Sequence, residues 1–264
     1  MMEVVSIRTL KEHVIPSLLV AGGLVIAIGV VTVLRGFGDP TTVDLTDPDK
    51  MPEPAPGGEV NAVHPGNLEL PSPRPEEGLS IEAGLHARRS VRSYRTQGLD
   101  LSQVGQILWA AQGVTDEDRG FRTAPSAGAT FPLEVYLVAG EVRGLEPGVY
   151  RYIPRQHRLE MISEGDVRDQ LHSVALGQSP VLEAPASLVI TAVYARTTGR
   201  YGDRGIRYVH MEAGHASQNV YLQCESLELV TVAIGAFDDD GVKTLLDLPG
   251  EETPLYLMPV GRRQ

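Results

Sequence analysis

One cysteine, Cys224, is all the chain contains. That excludes an intrachain disulfide framework and any multi-cysteine metal site, and its place in a helical stretch reads as a small core residue rather than a nucleophile. Positive charge is scarce as well: 23 Lys and Arg stand against 34 Asp and Glu, for a net charge of −11. Such a balance gives no global attraction for nucleic acid, so a bound phosphate must be held by a local arginine cluster. No Gly-x-Gly-x-x-Gly follows an apparent strand, which argues against a dinucleotide-binding Rossmann unit. No internal repeat is present. Nor do the histidines take the i, i+4 spacing of a helical zinc site. His210 and His215 fall about 140° apart around a helix, and Glu212 about 200° from His210. His64, His86, His157 and His172 are too scattered to supply an obvious further ligand. No metal is expected.

What is present divides into three parts. Residues 16–34, PSLLVAGGLVIAIGVVTVL, carry no charge, and about 20 such residues cross a bilayer as a helix. The run ends in Leu34-Arg35-Gly36-Phe37, without the small-x-small cleavage site of a secretory signal. It reads as an uncleaved transmembrane anchor behind a flank at 1–15. Arg8 and Lys11 precede the run and Arg35 follows it, a slight bias toward an inside N-terminus and an extracytoplasmic domain. From 35 to 78, proline recurs among acidic side chains with few large apolar ones. Such a segment buries too little surface to offset its ordering entropy, and it reads as a linker.

The folded domain is expected over 79–264. Ser80 caps a short helix in SIEAGLHARRS, and DLSQVGQILWAAQGV forms a second, with Leu101, Val104, Leu108 and Ala111 on one face and Gly113 at its end. Strands follow in LEVYLVAG, GVYRYIP and RLEMIS, then a helix at about 166–176 and a buried strand in ASLVITAVY. A long helix covers about 204–228, LVTVAIGAF reads as a strand, a helix covers 239–246, and PLYLMPVG is the last strand. Helices and strands mix without regular alternation, which favours an α+β sheet layered with helices.

Two stretches carry chemistry. In ARRSVRSYR, Arg88, Arg89 and Arg92 surround Ser90 at a helix-to-strand junction. Like charges packed this way call for a counter-charge, either the domain's own carboxylates or a phosphate, which guanidinium forks and a serine hydroxyl suit. The loop TAPSAGATFP, 123–132, is built of small residues. It is either an ordinary tight connection or a backbone left open to a flat ligand.

Taken in order, Arg88-Arg89-Ser90-x-Arg92, Pro125-Ser126-Ala127-Gly128-Ala129, RYGDRGIRYVHMEAGHASQN (200–219) and IGAFDD (234–239) resemble the nitroreductase superfamily, and more closely its SagB-type dehydrogenase branch. The resemblance covers about 86–261. It implies a nitroreductase-like FMN-binding fold with a mostly antiparallel central sheet, assembled as a homodimer with FMN at the interface. Arg88, Arg89, Ser90 and Arg92 match positions that hold the flavin phosphate and ribityl chain. Pro125, Ser126, Ala127 and Gly128 match a loop that packs on the ring, usually from the other subunit. Gln178 matches a position that bonds the ring edge, Gly235 and Ala236 match backbone that approaches the flavin, and Arg262 or Arg263 falls to the C-terminal phosphate contact.

The implied activity is hydride transfer through flavin N5 to or from a small molecule, with NADH or NADPH as a possible donor. SagB-type enzymes of peptide maturation oxidise azolines with a Lys-Tyr pair, which here reads Arg200-Tyr201. Arginine stays protonated, so Tyr201 is left as acid or base and Arg200 as its partner or as an orienting cation. A thiazoline or oxazoline dehydrogenase acting on a modified peptide, and a non-catalytic flavin-binding protein, stand as alternatives.

Overall fold

The computed structural model describes residues 66–74 and 78–264. The apolar run at 16–34 lies outside them, and among the described residues no helix is long and apolar enough to cross a membrane. In chain order the elements are β1 Asn67–Glu69, α1 Ile81–Ala87, β2 Leu99–Asp100, α2 Leu101–Gln112, β3 Val114–Asp116, β4 Phe121–Arg122, β5 Leu133–Ala139, β6 Val142–Arg143 and β7 Gly148–Ile153. They continue with β8 Arg158–Glu164, α3 Arg168–Val174, α4 Ser179–Glu183, β9 Ala186–Val193, α5 Tyr194–Tyr201, α6 Arg204–Ser226, β10 Leu229–Thr231, α7 Asp239–Leu245 and β11 Glu252–Arg262.

Seven strands make one antiparallel sheet in the order β1-β8-β7-β5-β9-β11-β10. This is the α+β architecture expected. Alternation along β5 sends Leu133, Val135, Leu137 and Ala139 to one face and Tyr136 and Val138 to the other. The first face meets Val104, Ile107, Leu108 and Ala111 of α2 and Val209, Ala213, Ala216 and Val220 of α6. The second meets Leu171 of α3, Val181 of α4, Val242 of α7 and Leu246 just beyond it. Both faces are covered, so the central strand β9 is buried at every position but its last, as its near-continuous apolar run anticipates.

Two boundaries differ from expectation. Part of the stretch read as linker is a strand, because Asn67–Glu69 pairs with β8 and the Leu70 amide donates to the His157 carbonyl (3.1 Å). The pairing partner lies some ninety residues away, so local composition carries no sign of it. The strand expected across LVTVAIGAF ends at Thr231. Beyond it the Ala233 N–H turns to the Tyr221 hydroxyl (2.8 Å), and only Ile234 returns to bridge Leu257.

Candidate functional site

The arginine segment leaves α1 along the outer strand of the sheet. Ser80 caps that helix, its hydroxyl accepting from the Ala83 amide, and the Arg89 guanidinium closes the other end on the carbonyls of His86 and Arg88 (3.0 and 2.7 Å). Ser90 then bridges Thr231, and the Val91 amide donates to the Thr231 carbonyl (3.0 Å). Tyr94 anchors the segment from below, donating to the Pro259 carbonyl of β11 (3.2 Å). Burial pushes this phenol above its ordinary range. Arg88 lies over the Tyr221 ring, 5.0 Å from its centroid. Among the described residues, none of Arg88, Arg89 or Arg92 joins an ion pair. Arg89 is held by carbonyls and Arg88 by a ring, contacts that leave their charge available to an anion.

Tyr221 of α6 joins this segment to a second motif. Its hydroxyl lies 2.9 Å from Ser90 Oγ and accepts from the Ala233 amide (2.8 Å). From Ala233 the chain runs through Ile234 to Gly235 and Ala236, both exposed. The Gln178 amide donates to the carbonyls of Ala236 (2.7 Å) and Ala175 (2.9 Å). Ser90, Tyr221, Ala233, Ala236 and Gln178 are thus brought together. With both amide hydrogens committed, Gln178 can offer a ligand only its acceptor oxygen.

The small-residue loop meets α5 and α6. Gly128, Ala129 and Phe131 all take left-handed backbone (φ 60°, 52° and 45°), a conformation that needs outside support when the residue is not glycine. Support comes from Ser126 Oγ accepting from the Phe131 amide (2.9 Å) and from Thr130 Oγ1, which donates to Ala127 (3.0 Å) and meets Thr197 of α5 (2.8 Å). Asn219 of α6 donates to the Thr123 carbonyl (3.3 Å), and Arg196 of α5 donates to Phe131 (3.0 Å).

Arg200 donates to the Gly128 carbonyl (3.2 Å) and lies over the Tyr201 ring at 5.5 Å. A Cβ at Gly128 would stand 2.5 Å from the Tyr201 hydroxyl and 2.9 Å from Arg200 Nη1. Two motifs about seventy residues apart therefore touch. Tyr201 is further braced edge-on against Tyr208 (5.2 Å).

Arg262 stands apart from the other cations. Its guanidinium reaches Gln103 (3.5 Å) and borders a cleft of about 540 Å³ that also holds Asp100, Glu141 and Arg143. Arg263 instead pairs with Glu225 (2.9 Å), one turn along α6 from Tyr221. His210 is bonded to the Tyr194 hydroxyl (2.6 Å), and His215 is exposed.

Sequence reasoning missed Tyr221, whose hydroxyl links two motifs, and weighed Glu212 only as a metal ligand. The Glu212 carboxyl is 2% exposed on the core side of α6. Burial pushes it up to about 7, although a hydrogen bond from Ser126 and the Arg122 charge favour its ionised form. No spacing marks Tyr221, because its partners Ser90 and Ala233 are distant in sequence or lie beyond the helix.

The family model of the nitroreductase family matches residues 85–262. The chain is 50% identical over 196 residues to MJ1384 of Methanocaldococcus jannaschii, assigned as a nitroreductase, covering 74% of this chain and 97% of that one. It is 26% identical over 155 residues to the microcin B17-processing protein McbC of Escherichia coli, covering 57% of each. A crystal structure from Ralstonia eutropha, also assigned as a nitroreductase, superposes with a TM-score of 0.65 at 30% identity over 75% of this chain and 90% of its own. Another from Anabaena variabilis gives 0.62 at 32% identity over 69% of this chain, which spans only 38% of that longer one.

Proposed function

The chain belongs to the nitroreductase family and is thereby an oxidoreductase, and from that premise we propose that it binds FMN and transfers hydride to or from a small molecule. The observation that carries the reading is the arginine group around Ser90, free of ion pairs among the described residues, with the Ser90 hydroxyl joined through Tyr221 to the Ala233 amide, from which the chain runs to the exposed Gly235 and Ala236. The residues fit the cofactor. Free guanidinium donors suit its phosphate, and exposed backbone at Gly235–Ala236 leaves room for a flat ring edge. Bound FMN supplies a two-electron hydride acceptor, with NADH or NADPH as donor.

The protein's own part is binding, orientation and proton management. Arg88 and Ser90 hold the phosphate end, and Gln178 fixes the Ala236 backbone from behind. The 123–132 loop and Arg200-Tyr201 form a second half-site. In a homodimer, one protomer's loop covers the ring held by its partner. Arg200 is permanently cationic. Bonded to Gly128, it orients the loop and any anionic substrate, and Tyr201 is the hydroxyl placed to give or take a proton.

A second reading is azoline dehydrogenation in a peptide, favoured by the similarity to McbC and opposed by arginine at position 200. A membrane tether through 16–34, with the domain on the extracytoplasmic side, completes the proposal.

Titrating FMN into the chain and following quenching of flavin fluorescence tests it. Saturable binding at one FMN per chain is expected, and absence of binding would end the reading.

A further inference from the structure

We propose that Arg196, aimed by Glu134, is a positioning residue: it fixes the 123–132 loop on α5 and so sets where the Tyr201 hydroxyl stands. The proposal rests on the FMN reading only for what the loop and Tyr201 face; the grip of α5 on the loop is a property of the protein alone.

The ladder between β5 and β9 brings the two together. Leu133 pairs with Ala192, and one step further the Val193 amide donates to the Pro132 carbonyl (2.8 Å). Helix α5 therefore starts beside the exit of the loop. Arg196 and Arg200 stand four residues apart on it, so their side chains leave one face. With Thr197 they reach the loop in reverse order. Arg196 donates to the Phe131 carbonyl (3.0 Å), Thr197 meets Thr130 (2.8 Å), and Arg200 donates to the Gly128 carbonyl (3.2 Å). The stretch they grip is the left-handed one, with φ 60° at Gly128, 52° at Ala129 and 45° at Phe131. Two of those residues carry a Cβ, and such a conformation persists only where its surroundings hold it.

The two arginines differ in what fixes them. Arg196 Nη1 also lies 2.7 Å from Glu134 Oε1, and Glu134 Oε2 is 3.2 Å from Arg151 of β7. Glu134 belongs to β5 of the central sheet, so its carboxylate is a rigid anchor. The two hydrogens of Nη1 suffice for both acceptors, one in the sheet and one in the loop. Phe131 is engaged at every group: its amide by Ser126 (2.9 Å), its ring by Arg122 (4.7 Å) and its carbonyl by Arg196. Of these three contacts, the last is the one that ties it to α5. Arg200 joins no ion pair among the described residues, which leaves its charge to a ligand. Tyr201 follows it and stands against Gly128. A loop that slides on α5 therefore moves Gly128 away from Tyr201.

The test compares the 264-residue chain with Arg196→Gln by hydrogen exchange at one pH, without flavin. Exchange in the loop peptide should rise severalfold, while peptides of β9 and β11 keep their wild-type rates. In the FMN-loaded proteins, anaerobic bleaching by NADH or NADPH should slow about tenfold. The FMN dissociation constant, set by the arginine group around Ser90, should stay within about threefold.

Wild-type exchange in the loop overturns the proposal. So does a rise shared equally by β9 and β11, which marks a general loss of stability. A loosened loop with wild-type bleaching overturns the claim for Tyr201. A loosened loop in a chain that binds no FMN, variant and wild type alike, supports the grip of Arg196 and removes the flavin reading instead. If Arg196→Gln does not fold, Glu134→Gln decides: it keeps the shape and removes the counter-charge, and an unmoved loop overturns the proposal.

Discussion

Replacing Tyr221 by phenylalanine removes one hydroxyl and nothing else. The ring stays, so the stacking of Arg88 survives. Lost are the contact with Ser90 (2.9 Å) and the acceptor for the Ala233 amide (2.8 Å). Each hydrogen bond is worth about 1 kcal/mol net, and the half-buried Ala233 N–H is left without a partner, so the loss is about 1–2 kcal/mol. For a domain of this size, that lowers Tm by about 2–8 °C. The same hydroxyl holds Ser90 and the Ala233–Ala236 backbone in register, so FMN affinity should fall about tenfold, equivalent to about 1.4 kcal/mol. Thermal unfolding by circular dichroism, without FMN, gives the first number, and fluorescence titration gives the second. An unchanged Tm would show that the hydroxyl bears no structural load. A lowered Tm with wild-type affinity would refute its role in coupling the two motifs at the flavin.

Gly128→Ala places a Cβ against Tyr201 and forces a non-glycine residue into φ 60°. It should cost about 1–2 kcal/mol in urea unfolding and detach Arg200 from the loop, lowering turnover more than FMN affinity. Glu212 carries a pH signature in stability. Its folded-state value about 7 lies above the ordinary 4.5, so the native state keeps a proton that the unfolded chain has lost. The stability it contributes is fully present below pH 4.5 and is lost as pH rises through 7. Glu212→Gln should therefore gain on wild type across that window, by up to about 3 kcal/mol, as read from urea unfolding at several pH values. Arg200→Lys restores the pair expected of azoline dehydrogenases; if position 200 controls the branch, the variant gains azoline oxidation, detected as aromatic azole in a model peptide by mass spectrometry.

The motif residues were legible because they are local: Arg88 to Arg92, Pro125 to Gly128 and Arg200-Tyr201 each sit within one short run. Their assembly was legible only in part. Contact between Gly128 and Arg200-Tyr201 follows from the fold, and no spacing in the chain announces it. The main helices and strands follow their apolar periodicity, as α2, β5 and β9 show. Prediction failed where one distant hydrogen bond outweighs a local pattern. The run LVTVAIGAF has the apolar content of a strand, yet Tyr221 captures the Ala233 amide and frees Gly235 and Ala236. Leu68 and its neighbours look like linker until β8 pairs with them. Glu212 looks like one more polar residue on a helix until burial and Ser126 set it apart.

The central claim is two-electron chemistry on a flavin held by this fold. Anaerobic mixing of the FMN-loaded chain with NADH or NADPH, while the visible flavin band is followed, tests it most directly. Bleaching by at least one donor is expected, with colour returning when an oxidising substrate is added. A protein that binds FMN yet keeps its colour with both donors would contradict the enzymatic claim and leave a flavin-binding protein without turnover.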